Sequence, residues 1–235
     1  MTEPGHIRTE TLAVRRSALV AMLGPEVPAS AARVRELWYV LHGYSMRAVP
    51  FLSDCRALDD GTRLVVAPEA LSRFYEGSLN ALSHRTAPVG ASWMTRDERE
   101  SEIGDYVNYL DDLHATIMSR LEGAAPSITV LGFSQGGAAA ARWVASGRVP
   151  AKRLVLWGSG LAPDLDLESA PSPLRLVETV FVVGTTDVFI TPKVVEKELA
   201  RLRAAGFPFR FLSFEGGHRM DDTILGELAN GAAVV

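Results

Sequence analysis

Short runs of apolar residues, many of them β-branched, recur along the chain between glycine, proline and charged positions. Runs of this kind are typical of strands that are buried on both faces of a parallel sheet. They predict strands at residues 37–41, 64–67, 128–131, 153–157, 180–184 and 209–214. Two further segments, 7–14 and 17–23, flank a pair of arginines, and we expect them to pair antiparallel at one edge of the sheet.

Helical periodicity appears between these strands. Apolar residues recur every three or four positions across 98–122, which predicts a long amphipathic helix with one buried face. Shorter helices are predicted at 47–58, 194–205 and about 223–230, the last capped by Asp221 or Asp222. The alternation of strands and helices predicts an α/β fold with helices on both faces of the sheet. Because neither a repeat nor a linker interrupts it, we expect a single domain over residues 1–235.

Residues 68–97 depart from this pattern, because they mix aromatic residues with glycine, serine and arginine and show no steady period. A long aperiodic stretch inside a compact domain is usually functional or mobile. We expect this irregular excursion to fold over the mouth of the site, with an acyl pocket lined by Phe74, Tyr75, Trp93 and Met94. The alternative is that Trp93 and Phe74 pack the segment onto the core.

The strand predicted at 128–131 leads into Gly132-Phe133-Ser134-Gln135-Gly136, which matches G-x-S-x-G, and four alanines then open a helix. Strand, tight turn and helix are the context of a nucleophile elbow, in which the serine hydroxyl is exposed at the top of the sheet. The turn is so sharp that a Cβ at Gly132 or Gly136 would collide with the neighbouring strand or helix. The motif therefore predicts Ser134 as a nucleophile.

A serine nucleophile needs a base, and the chain has five histidines. His218 follows the last predicted strand after two glycines, in a loop that can reach back over the sheet, although a plain surface-loop histidine is the alternative. His114 belongs to the apolar stripe of the long helix, so we interpret it as a packed or rim histidine. His42 stands at the tip of an early strand, and we interpret it as shaping that loop.

The third member of such a triad is a carboxylate that orients the imidazole. Asp187 follows the strand at 180–184 and is the first candidate, with Asp164 and Asp166 ranked behind it. The order Ser134, Asp187, His218 is the one found in α/β-hydrolases. For the oxyanion, the elbow predicts the backbone N–H of Gln135, and the loop after the early strand suggests the N–H of Tyr44.

Composition narrows the range of functions. The 235 residues are 47% apolar and 22% charged, which suits a globular chain with a large core, and the net charge is -4 without a basic block, which argues against a nucleic-acid partner. The single cysteine, Cys55, excludes an intrachain disulfide and fits a reducing cytoplasm. The first residues lack the features of a signal peptide, and no apolar run approaches a membrane span. We therefore expect a cytoplasmic protein.

Four pieces, in order along nearly the whole chain, carry a family resemblance: Leu41-His42-Gly43, Gly132 to Gly137, Gly184 to Asp187, and Gly217-His218. With them the chain resembles the serine carboxylesterase, phospholipase and acyl-protein thioesterase family of α/β-hydrolases. The resemblance implies a sheet of about eight mostly parallel strands, a Ser-Asp-His triad, no metal and no cofactor.

Two departures refine this resemblance. Thioesterase members usually have Leu-Gly-Asp after the His-Gly, where this chain has Tyr44-Ser45-Met46, and their Val-Pro after the aspartate is here Ile190-Thr191-Pro192. The resemblance then favours a bacterial-type esterase branch over protein depalmitoylation.

These observations predict a serine carboxylesterase that acts on short to medium acyl esters. An acyl-protein thioesterase or a lysophospholipase is the alternative within the same chemistry. An alternative from another functional class is a non-catalytic α/β-hydrolase relative that binds a small ligand. The same fold also hosts other catalysts, such as perhydrolases and lyases. Neither a phosphate-binding loop nor a metal-binding motif points elsewhere.

Overall fold

The computed structural model describes residues 7–77, 85–168 and 172–231. His6 and His84, residues 78–84 within the predicted excursion, and residues 169–171 lie outside these ranges. Nine strands are described: β1 (Val20–Leu23), β2 (Glu36–Leu41), β3 (Arg63–Pro68), β4 (Ser72–Tyr75), β5 (Val89–Ser92), β6 (Ser127–Phe133), β7 (Arg153–Trp157), β8 (Glu178–Gly184) and β9 (Arg210–Phe214).

Seven of these strands form the central sheet, in the order β1-β3-β2-β6-β7-β8-β9. Only β1 runs antiparallel, against β3, and every other neighbouring pair is parallel. The register pairs Leu41 of β2 with Gly132 of β6, and Phe133 of β6 with Trp157 of β7. The carboxyl ends of the three middle strands therefore meet at one edge of the sheet, which is where sites form in such folds.

Five α-helices are described: α1 (Ala48–Asp54), α2 (Arg99–Arg120), α3 (Gln135–Ala145), α4 (Pro192–Ala204) and α5 (Asp222–Ala229). They contribute buried residues to the cores on the two faces of the sheet, and the sequence sets several of their ends. Pro192 occupies the first turn of α4, where its missing N–H is not needed. Asp221 caps α5 by accepting a hydrogen bond from the N–H of Ile224.

Because successive side chains of a strand point to opposite faces, the sheet separates two apolar cores. In β2, Leu37, Tyr39 and Leu41 face the core shared with α2, α3 and α4. Trp38 and Val40 face the other core, which contains apolar residues of α1 and α5. The predicted α/β architecture, with helices on both faces, is confirmed.

In the described ranges the central sheet has seven strands, which agrees with the sheet of about eight mostly parallel strands that the resemblance implies. Two details of the prediction are wrong. Residues 7–14 form no strand and carry exposed Ile7, Leu12 and Val14, so β1 pairs with β3 and not with the preceding segment. The excursion at 68–97 is not irregular throughout, because β4 and β5 pair in it as a separate antiparallel hairpin.

The predicted long helix is present as α2, whose buried residues are Tyr106, Leu110, Leu113 and Ile117. Its first turn carries Glu100 and Glu102, and acidic side chains are favourable near the amino end of a helix. Over the described residues, no helix combines the length and the apolar character that crossing a bilayer requires.

Candidate active site

Ser134 lies at the turn between β6 and α3, with φ 52° and ψ −120°. A positive φ is unfavourable for a residue with a Cβ, and such strain concentrates at functional sites. The two glycines of the motif make the turn possible. A Cβ at Gly132 would press against the carbonyl oxygen of Gly136, and a Cβ at Gly136 would press against the carbonyl oxygen of Leu41. The structure therefore shows the steric requirement that the sequence predicts.

Asp187 and His218 meet beside this turn. The loop after β9 brings His218 Nδ1 to 2.7 Å from Asp187 Oδ2, on the loop after β8. Asp187 is 5% exposed, and its Oδ1 accepts the N–H groups of Phe189 and Ile190, each at 2.8 Å. Burial alone would raise the pKa of this carboxyl, but the bonds from Ile190, His218 and Phe189 outweigh it and hold the pKa below its usual value. The carboxyl is therefore ionised at neutral pH.

An ionised Asp187 fixes the tautomer of His218. A carboxylate accepts hydrogen bonds and donates none, so Nδ1 must carry the proton of the neutral ring. The lone pair then lies on Nε2, the nitrogen that turns away from Asp187. This is the arrangement in which an imidazole can accept a proton from a neighbouring hydroxyl.

The ends of β6 and β7 place this imidazole next to the elbow. The N–H of Ser134 donates to the carbonyl of Trp157 at 2.9 Å, and the next residue, Gly158, touches His218, since a Cβ there would lie 2.8 Å from its Cε1. The ring of His218 lies 4.7 Å from that of Phe133, the residue before the serine. Within the described ranges the Ser134 hydroxyl makes no hydrogen bond to the ring, and such bonds often tighten only when substrate binds.

The loop after β2 approaches the elbow from the other side. A Cβ at Gly43 would lie 3.2 Å from the Cβ of Ser134, a tight contact, so a glycine eases this close approach. The loop is tied by two backbone bonds, from Met46 N–H to the Gly43 carbonyl and from Ser45 N–H to the Ala91 carbonyl. In the described part of the chain, the N–H groups of Tyr44 and Gln135 have no acceptor, so both are available to an oxyanion.

His42 shapes this loop, as the sequence predicts. It is fully buried, and its Nε2 accepts the N–H of Ala70 at 3.0 Å, so the ring proton is on Nδ1 and donates to the Gly43 carbonyl at 2.8 Å. Burial lowers the pKa of His42, which keeps the ring neutral. Both ring nitrogens are occupied, so His42 has no free nitrogen with which to act as a base.

The hairpin of β4 and β5 supports the same loop. The indole Nε1 of Trp93 donates to the His42 carbonyl at 2.8 Å. The Gln135 side chain accepts the N–H of Trp93 at 3.0 Å on Oε1 and donates to the Met94 carbonyl at 2.8 Å from Nε2. The side chain of Gln135, the residue after Ser134, thus joins the end of the hairpin to the elbow. Sequence reasoning assigned only the backbone of Gln135, because its side-chain partners are about 40 residues away along the chain.

The predicted acyl pocket is not formed as expected. Trp93 is 2% exposed and packs edge-on against Tyr106, which is the alternative in which it holds the segment to the core. Met94 is bound through its carbonyl to Gln135, and its sulfur lies 3.5 Å from Nη1 of Arg142. Phe74 stacks on Tyr44 at 5.2 Å, and Tyr75 is exposed, so these two lie nearer the mouth.

The remaining candidates have other partners. Asp164 pairs with Arg142 at 2.6 Å and with Arg99 at 2.9 Å, and the bonds from Arg142 hold its pKa far below the usual value. Asp166 accepts the N–H of Glu168 at 2.9 Å. His114 lies 2.9 Å from the Tyr39 hydroxyl through Nδ1, so it is a packed histidine, as predicted. Of the three carboxylates considered, Asp187 is the one seen bonded to His218.

Comparison with known proteins identifies a family for this chain and finds solved structures with a similar fold. The family model for serine hydrolase (FSH1) matches residues 40–220. A search of curated proteins by sequence gave no match. Acyl-protein thioesterase 2 of Zea mays is similar in structure, with 16% identity, a TM-score of 0.68 and coverage of 92% of this chain and 97% of that one. A carboxylesterase from Mesorhizobium loti has 16% identity, a TM-score of 0.65 and coverage of 93% and 95%.

Proposed function

The chain belongs to the FSH1 serine hydrolase family, and we propose that it is a carboxylesterase that hydrolyses short to medium acyl esters through an acyl-enzyme on Ser134. The observation that carries the proposal is the bond between His218 and Asp187 beside the strained elbow. The family membership and the similarity to α/β-hydrolase structures agree with the resemblance predicted from the sequence.

In the proposed acylation, Ser134 Oγ attacks the carbonyl carbon of the ester while His218 Nε2 takes the hydroxyl proton. The new O–C bond gives a tetrahedral intermediate with a negatively charged oxygen. When that intermediate collapses, the bond to the alcohol breaks and the alcohol leaves with the proton from Nε2. Asp187 stays ionised throughout and stabilises the imidazolium that forms between these two transfers.

Deacylation repeats the same steps with water as the nucleophile. His218 Nε2 takes a proton from water, the hydroxide adds to the acyl carbon, and the Ser134 oxygen leaves and recovers that proton. The products are the carboxylic acid and the free enzyme. We assign the oxyanion in both steps to the N–H groups of Tyr44 and Gln135, which approach the elbow from the β2 loop and the start of α3.

Acyl-protein thioesterase and lysophospholipase activity are the alternatives for the same residues. The names of the similar structures include both a thioesterase and carboxylesterases, so they support acyl hydrolysis without choosing between an ester and a thioester. The sequence after His42-Gly43, Tyr44-Ser45-Met46, supports the ester because it departs from the thioesterase pattern.

The test is a panel of p-nitrophenyl esters and the matching thioesters, from acetyl to palmitoyl, with the wild type and Ser134→Ala. We expect the ester kcat/KM to exceed that of the thioester at equal chain length, and Ser134→Ala to abolish both. A higher kcat/KM for long-chain thioesters would favour the thioesterase alternative. Full activity of Ser134→Ala would overturn the proposal.

A further inference from the structure

A cavity of about 290 Å³ lies between α4 and the edge of the central sheet. Its walls come from β8, β9, α4 and the loop that follows β7. Most of the lining is apolar and includes Leu161, Phe181, Val183, Val195, Leu199 and Phe211. This volume is at the lower end of the range for small-molecule pockets, and an apolar lining of this kind is typical of them.

The cavity exists because α4 does not pack tightly onto the sheet. Leu202 is its one fully buried residue, whereas Val195 and Leu199, which are four residues apart and so share a face, are half-buried. The space between the helix and the strands is therefore left open instead of being filled by larger side chains.

Polar contacts hold the wall of the cavity in place. Glu198 Oε1 of α4 accepts the N–H of Leu161 at 2.9 Å, and Arg201 Nη2 donates to the Leu161 carbonyl at 3.1 Å. Arg201 and Glu198 also pair with each other at 2.8 Å. The loop after β7 is thus fixed to the helix, and the cavity is present before any ligand binds.

Two lining residues connect the cavity to the catalytic groups. Ile190 lines it, and the N–H of the same residue donates to Asp187 at 2.8 Å. Ser159 also lines it and touches Gly137, since a Cβ at that glycine would press against the Ser159 hydroxyl. Gly137 is three residues beyond Ser134, less than one helical turn away. The cavity therefore begins next to the loops that carry the proposed triad.

We propose that this cavity binds the acyl chain of the ester, and that its substrates are esters of unbranched, apolar acids of medium length. This inference rests on the proposed function and locates its acyl pocket under α4, on the opposite side of the elbow from the β4–β5 hairpin. Each methylene that enters an apolar cavity raises kcat/KM roughly fourfold, until the cavity is full. The modest volume sets that limit at medium length.

A filling variant tests the location. Val195→Phe adds a ring to the cavity wall, and we expect it to lower kcat/KM by a factor that grows with acyl length, by roughly fourfold for each methylene that no longer fits. Ala200→Phe is the matched control, because Ala200 is exposed on the same helix and does not line the cavity. A length profile that is unchanged in Val195→Phe, or changed equally in both variants, would contradict the inference.

A second measurement uses the wild-type protein and separates this inference from the proposed function. A decyl fluorophosphonate with a diazirine at the end of its chain reacts with a nucleophilic serine, is then irradiated, and the labelled peptides are identified by mass spectrometry. We expect an adduct on Ser134 and crosslinks to α4 or to residues 159–163. An adduct on Ser134 with crosslinks to the β4–β5 hairpin would overturn the acyl pocket alone, whereas absence of the adduct would overturn the proposed function and the pocket with it.

Discussion

At the scale of single residues, the Asp187 carboxylate accepts hydrogen bonds on both oxygens. Oδ1 is occupied by two backbone N–H groups, so Oδ2 is directed at His218 and cannot rotate away without breaking them. Because these bonds keep the pKa below its usual value, the group remains an acceptor toward His218 at neutral pH. The local backbone therefore fixes the orientation of the imidazole.

We predict that Asp187→Asn lowers kcat by about 10⁴-fold while the protein stays folded. The asparagine oxygen can still accept the N–H groups of Phe189 and Ile190, which leaves the amide NH2 facing His218. That donor favours the tautomer with the proton on Nε2, which cannot accept the serine proton. Steady-state kinetics on p-nitrophenyl butyrate and a thermal melt of the same sample check the prediction.

Asp164→Asn is the matched control, because the same atom is exchanged in a carboxylate that pairs with Arg142 and Arg99. We expect its kcat to stay close to that of the wild type. If Asp164→Asn instead lost activity and Asp187→Asn kept it, the assignment of the orienting acid would be wrong.

At the scale of elements, the parallel strands and the elbow could be predicted because their physics is local. A strand covered on both faces needs apolar residues at nearly every position, as in β2, β6 and β7, and a sharp turn needs glycines where a Cβ cannot fit. The order of Ser134, Asp187 and His218 along the strand ends then limits where the site can form.

The elements that were missed depend on contacts between distant residues. The β4–β5 hairpin includes Gly90, whose α-carbon lies against Ser45 of the β2 loop, and nothing in its own sequence indicates that partner. The cavity under α4 likewise depends on how closely a helix packs on the sheet, which periodicity does not determine. The sequence predicts Trp93 in a pocket because an aromatic residue can either line a pocket or pack in a core. Which of the two occurs depends on its tertiary contacts, which the sequence pattern does not show.

The elbow glycines give a prediction at this scale. We expect Gly132→Ala to lower the free energy of unfolding by about 3 kcal/mol, at the upper end of overpacking effects, because the new Cβ meets backbone atoms of α3 that cannot move aside. Gly104→Ala in α2 is the control, where a Cβ meets no neighbour, and it should stabilise by about 0.5–1 kcal/mol. Urea unfolding measures both, and equal stability of the two variants would contradict the steric account.

The side chain of Gln135 gives a second prediction. Gln135→Met keeps the volume and the backbone N–H but removes the bonds to Trp93 and Met94. We expect kcat to fall by about 10- to 100-fold with a small change in KM, because the hairpin no longer holds the β2 loop in position. Ser92→Ala removes a hydroxyl that contacts Gln135 and the Met94 carbonyl, but it leaves the bonds from the Gln135 side chain to Trp93 and Met94, so it should have a much smaller effect. A Gln135→Met enzyme with normal kcat would show that the bonds from the Gln135 side chain to Trp93 and Met94 have no positioning role.

At the scale of the whole molecule, a charged network joins elements that are far apart in sequence. Asp164, on the loop after β7, bridges Arg142 of α3 and Arg99 of α2. Arg142 is 5% exposed at its side chain and also donates to the Tyr106 hydroxyl at 3.3 Å. A buried guanidinium needs its partner, so we expect the network to stabilise the packing of α2 and α3 around the elbow.

This network predicts a dependence of stability on pH. The pKa of Asp164 lies far below the value of about 3.9 expected in an unfolded chain, mainly because of the bonds from Arg142. The contribution of the ionised Asp164 to the free energy of unfolding is therefore complete above about pH 5. It is lost as the pH falls through the pKa of Asp164 in the folded protein. Since the side chain is 37% exposed, we expect a difference on the order of 1–2 kcal/mol between wild type and Asp164→Asn at pH 6. Urea unfolding at pH 6, 4 and 3 should show that difference shrinking, and a constant difference would contradict the role of the ion pair.

In the proposed reaction, Ser134 carries the acyl group during turnover. The most direct measurement mixes a known concentration of enzyme with excess p-nitrophenyl butyrate, records the first turnover by stopped flow, and quenches a parallel sample in acid for peptide mass spectrometry. We predict a burst of up to one p-nitrophenolate per enzyme molecule where deacylation is rate-limiting, and a butyryl group on the peptide that contains Ser134. Turnover of this ester with the acyl group on another residue, or by an enzyme in which Ser134 has been replaced by alanine, would contradict it.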